Sequence, residues 1–81
     1  AYFFHGREVR FMRDMILCAL VKYYRGEIAK YKANVEIYLE SCVGVGEHSD
    51  IIETIDDLIT KISKYEDNLQ VLQIHYEMGE D

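Results

Sequence analysis

The chain has 81 residues, no proline, five glycines and a formal charge of −6. That length allows one small domain, and the acidity argues against generic nucleic-acid binding, which calls for a basic surface. An apolar share of 49% excludes a disordered chain, and the longest apolar run, Met15 to Val21, is far short of the roughly twenty residues a membrane span needs.

The first predicted element is a helix over about residues 8–42. Its opening turns carry Arg7, Arg10 and Arg13 on one face, with Lys22 and Arg25 further along. These arginines are the candidate phosphate contacts. The competing reading pairs them with the acidic tail residues Glu77, Glu80 and Asp81 of a neighbouring chain, and the charge distribution favours it. Residues 1–33 hold seven Lys/Arg against three Asp/Glu, whereas residues 34–81 hold two against twelve.

The main seam of this helix is Leu17, Val21, Tyr24, Ile28, Tyr31, Val35, Tyr38 and Cys42. The spacing alternates four and three without a break, the signature of a helix that packs along a heptad stripe. Tyr24, Tyr31 and Tyr38 would need exposure to act as a stacking platform for bases; at seam positions they are expected in the core with their hydroxyls at its edge. Gly26 interrupts the helix at a cost of about 1 kcal/mol relative to alanine. It reads as a weak spot tolerated because packing holds the helix, with close approach of another backbone as the alternative.

A turn follows at Val43-Gly44-Val45-Gly46-Glu47-His48-Ser49. Gly44 or Gly46 can end the first helix in the left-handed conformation. Ser49 or Asp50 can cap the next, with Asp50 and Glu53 at capping-box spacing. So short a connection makes the helices antiparallel neighbours.

The second helix is predicted over about residues 50–77. Its seam, Ile51, Ile55, Leu58, Ile62, Tyr65, Leu69, Leu72 and Tyr76, repeats the same spacing. Folding at the turn sets Cys42 against Ile51, Tyr38 against Ile55, Val35 against Leu58 and Tyr31 against Ile62. Further from the turn, Ile28 meets Tyr65, Tyr24 meets Leu69, Val21 meets Leu72 and Leu17 meets Tyr76. No layer then opposes two rings, which keeps layer volumes even. Glu27 is expected near Lys61, and Arg25 or Lys32 near Glu66.

One stripe per helix is all a hairpin buries, and apolar residues remain. Val9, Met12, Ile16, Leu20 and Tyr23 form a second stripe on the first helix, with Val71, Ile74 and Met78 at the end of the second. Both surpluses fall at the open end of the hairpin, together with Tyr2, Phe3 and Phe4. A patch of that size exceeds what monomers normally leave in water, so these eight residues are the expected oligomer interface. The alternative is that residues 1–14 fold back over them.

Constellations for chemistry are missing. His5, His48 and His75 are scattered, and neither Glu-x-x-His nor His-Glu-x-x-His occurs. Glu47, His48 and Asp50 could hold a metal, but capping and solvation explain them equally well. Gly44-Val45-Gly46 follows a helix and lacks the lysine of a phosphate loop. Cys18 and Cys42 lie about 36 Å apart along one helix, so they cannot pair. As packed, free thiols they suit a reducing cytosol.

From Met15 to Tyr76, and above all in Lys22-Tyr23-Tyr24-Arg25-Gly26-Glu27-Ile28-Ala29 and Val43-Gly44-Val45-Gly46-Glu47-His48, the chain resembles small uncharacterised proteins of marine cyanobacterial phages. The resemblance implies a small accessory protein working in a host cytoplasm. It carries no activity or catalytic motif, and residues 1–11 fall outside it.

The expected fold is therefore all-α: one helical-hairpin domain over residues 1–81, an antiparallel two-helix hairpin assembling as a homodimeric four-helix bundle. The expected function is a cytoplasmic, non-enzymatic scaffold or interaction module that needs no cofactor, associates with itself and does not enter membranes. The alternative is a small nucleic-acid-binding regulator using Arg7, Arg10 and Arg13.

Overall fold

The computed structural model describes residues 6–41 and 49–78, with side chains from 10–41 and 50–78. The described residues form two helices, α1 (Gly6–Ser41) and α2 (Ser49–Tyr76). With no proline to remove a backbone donor, α1 runs unbroken for 36 residues. Asp50 falls inside the first turn of α2, where its charge is favourable against the helix dipole.

Helix α2 closes on its own carbonyls. After Tyr76 the chain passes through Glu77, whose φ of 58° is left-handed. The Met78 amide then donates to the Leu72 carbonyl at 3.1 Å. This satisfies one of the carbonyls a helix end leaves open and folds the Met78 side chain back against Leu17, Val21 and Leu72.

The helices pack antiparallel. Leu17 and Val21, early in α1, share a core cluster with Leu72, late in α2. Nearer the turn, the Lys61 ammonium lies over the Tyr31 ring at 5.5 Å. Among the described residues, the buried apolar ones are Leu17, Val21, Val35, Leu58 and Leu72, all at seam positions. Tyr24, Ile28, Tyr31, Ile51, Ile55, Ile62, Tyr65 and Leu69 are half-buried along the same line. Seam packing thins toward both ends: Tyr38 is 39% exposed and Tyr76 is 44% exposed. Cys42 lies outside the described residues.

Three expectations about detail need correcting. Rings do meet across the seam, because a tyrosine reaches past its own layer: Tyr65 stacks on Tyr31 (centroids 6.3 Å apart, planes within 13°) and tilts against Tyr24 at 5.7 Å. Cys18 is exposed and free, not packed; it lies one residue beyond Leu17, and 100° of helical rotation carries it off the seam. Glu27 is held within its own helix by Lys30 at 3.1 Å, while its expected partner Lys61 covers the Tyr31 ring.

The hairpin is long and thin, measuring 65 × 25 × 18 Å. Its radius of gyration is 18.5 Å, against about 12 Å for a compact domain of this length. Its accessible surface is 6484 Å², whereas a folded monomer of 9.5 kDa presents about 5,000 Å². Roughly 1,400 Å² is thus left over relative to a compact monomer of that mass.

Candidate interaction surface

Large apolar residues contribute to the exposed surface. On α1, Met12, Ile16 and Tyr23 are each more than half exposed, Ile16 at 59%. On α2, Val71 and Ile74 are exposed, Ile74 at 65%. These are five of the eight residues expected at an oligomer interface. Leu20 and Met78 sit differently: both pack, partly buried, against the Leu17, Val21 and Leu72 cluster, so they rim the hairpin's own core as well as the outer patch. The side chain of Val9 lies outside the described residues. Phe11 and Met15 widen the exposed surface at the open end, and Ile37, Leu39, Ile52 and Ile59 expose further apolar area toward the turn. The sequence reading concentrated on the open end and missed this second group, whose members stand singly among acidic residues.

Beside the patch lies a knot of tyrosines. The Tyr23 pKa is raised above its ordinary value of 10.0, chiefly by hydrogen bonding to the Tyr65 side chain, with the charge of Glu27 adding to it and that of Lys30 opposing. The rings of Tyr23 and Tyr65 meet edge to face at 6.1 Å, and Tyr23 and Tyr24 lie 5.7 Å apart. Such pairs add about 0.5–1.5 kcal/mol beyond area burial when well packed. Lysines surround the knot: Lys30 sits 4.7 Å from the Tyr31 centroid and Lys64 5.5 Å from that of Tyr65. The bond to Glu27 raises the Lys30 pKa, so its charge is secured at the rim. Tyr24, Tyr31 and Tyr65 are half-buried, which suits packing better than stacking on bases.

The basic face is less concentrated than its spacing suggests. Arg10 and Arg13 are exposed, and the Arg13 guanidinium lies 3.4 Å from the Asp14 carboxylate, which offsets part of its charge. The side chain of Arg7 lies outside the described residues. For metal chemistry, no group of three or more His, Cys, Asp or Glu among the described residues is placed to hold an ion. Glu47 and His48 are not among them, and Asp50 is exposed. Among the described residues, no helix is long and apolar enough to cross a membrane. A shallow groove on α2, lined by Glu66, Asp67, Leu69, Gln70 and Gln73, lies along a single helix and encloses nothing.

Compared with protein families, with curated proteins and with solved structures, the chain matches none.

Proposed function

We propose that the protein is a non-catalytic, self-associating helical hairpin that serves as a small scaffold or interaction module. The observation that carries this reading is the set of exposed large apolar residues, Met12, Ile16, Tyr23, Val71 and Ile74 among them, on a hairpin whose described residues include five buried apolar ones. A stable interface of ordinary size takes about 800 Å² from each partner, and the surplus over a compact monomer, roughly 1,400 Å², covers that need. Two hairpins joined on their apolar faces make a four-helix bundle, the simplest closed arrangement for helices with two apolar stripes. The resemblance to small phage proteins would place this assembly in a host cytoplasm.

The test is absolute mass by light scattering at concentrations on the order of tens of micromolar. A dimer is expected, dissociating on dilution. A monomer throughout that range overturns the proposal.

A further inference from the structure

We infer that the second copy docks on a continuous second seam of α1, antiparallel to its own counterpart. The inference rests on the self-association proposed above and narrows the contact to α1, setting Val71 and Ile74 of α2 outside the paired line.

Along α1 the residues Met12, Ile16, Ala19, Tyr23, Gly26, Lys30, Ala33 and Ile37 repeat the four-three spacing without a break. This is the spacing of the buried seam, rotated to the far side of the helix. All eight positions are exposed. The line extends about 38 Å at 1.5 Å per residue, most of the length of the helix. Of these positions Tyr23 also meets α2, its ring edge to face with Tyr65; the line as a whole faces away from the buried seam.

Four observations select a second α1 as the occupant of that line. The first is area: the hairpin's surplus surface exceeds what one side of a standard interface buries. The second is fit. In an antiparallel coiled coil, alternate seam positions face each other across the twofold axis. Centring the axis between Tyr23 and Gly26 pairs Tyr23 with the partner's Gly26, Ile16 with the partner's Ala33, and Lys30 with the partner's Ala19. Each inner layer then sets one large side chain against one small one, so the layers match in volume. Met12 against the partner's Ile37 closes the ends.

The third observation is Gly26 itself. A Cβ built there meets nothing within 4 Å of its own chain, so intrachain packing gives no reason for a residue that weakens the helix. The partner's Tyr23 ring supplies one, because a flat aromatic side chain fills the space a side chain at that position would take. The fourth is charge. Between residues 33 and 60 there is no Lys or Arg and there are seven Asp or Glu, while residues 10–32 carry six Lys or Arg against Asp14 and Glu27. Antiparallel docking about this axis lays the start of each α1, with Arg10 and Arg13, beside the acidic turn end of the other hairpin, whereas parallel docking would align like with like along the whole length. Lys30, the one charged seam residue, keeps its ammonium on Glu27 at the rim and lays its apolar stem over the partner's Ala19.

Gly26→Leu separates this arrangement from general stickiness. Leucine is a far better helix former than glycine, so the variant hairpin folds at least as well as the parent. A side chain at the tightest layer nevertheless expels the partner's Tyr23 ring. The expected result is a dimer dissociation constant raised about tenfold or more, with helical circular dichroism undiminished. A dimer of unchanged affinity overturns the inference.

A cross-link reads the register. Tyr23→Cys and Gly26→Cys chains, each also carrying Cys18→Ser and Cys42→Ser, are mixed under oxidising conditions. The mixed disulfide should dominate; dominance of either same-variant disulfide points to parallel packing and overturns the antiparallel register. If the unmodified protein scatters as a monomer, self-association fails and the inference with it. If it is dimeric but forms no mixed cross-link, only the α1 pairing falls.

Discussion

The rings of Tyr23 and Tyr65 meet edge to face across the hairpin at 6.1 Å, and hydrogen bonding to the Tyr65 side chain is the main cause that raises the Tyr23 pKa. The interaction favours the protonated form of Tyr23 over the phenolate. Because the folded state raises the Tyr23 pKa above 10.0, the contribution is whole below pH 10.0 and is lost as the pH rises through the raised value. Chemical unfolding followed at rising pH should show stability falling in that alkaline range. Tyr23→Phe should remove this component of the fall, leaving the general effect of alkali. Identical alkaline profiles for parent and variant would mean the bond does not form in solution.

Leu72 and Ile74 stand two residues apart on α2 in opposite environments, 6% and 65% exposed. Leu72→Ala should cost about 2–4 kcal/mol, as for truncations in packed cores. Ile74→Ala should leave the hairpin within about 0.5 kcal/mol, as for surface changes. Denaturant midpoints at low protein concentration measure both. Equal losses at the two positions would contradict the placement of the core.

Glu77 occupies the left-handed region that ordinarily falls to glycine. Holding an L side chain there costs about 1–2 kcal/mol, partly offset by the extra freedom glycine has when unfolded. Glu77→Gly should therefore stabilise the hairpin by about 1 kcal/mol. The gain is read as a higher melting temperature, and a lower one would show that α2 ends differently.

Ile16→Glu puts a charge at the centre of the exposed stripe without touching the buried seam. It should abolish the dimer while most of the helical signal remains. The melting temperature of the parent should rise with protein concentration, as linkage to association requires, and that of the variant should not.

The seam was legible because four-three spacing is a strong signal when every position is large and apolar, as from Leu17 to Val35 and from Ile51 to Leu72. Ring geometry was not, since the length of a tyrosine side chain lets Tyr65 touch Tyr31 and Tyr24, residues of the layers on either side of its own. The cap at Glu77 was hidden because nothing in a glutamate announces a positive φ. The outer seam of α1 escaped for a different reason. Ala19, Gly26, Lys30 and Ala33 add little hydropathy, so the periodicity emerges only once exposure singles out the positions that α2 does not use.

The 65 Å length of the hairpin also governs how the molecule behaves on a sizing column. A radius of gyration of 18.5 Å belongs, among compact globules, to a chain of about 270 residues. A lone hairpin would thus elute ahead of its mass and imitate a trimer of itself. Doubling it side by side thickens the rod far more than it lengthens it, so the dimer would elute only slightly earlier. Retention against globular standards is consequently a poor gauge of stoichiometry for this shape, and tumbling in solution is strongly anisotropic, slowest about the axes across the rod.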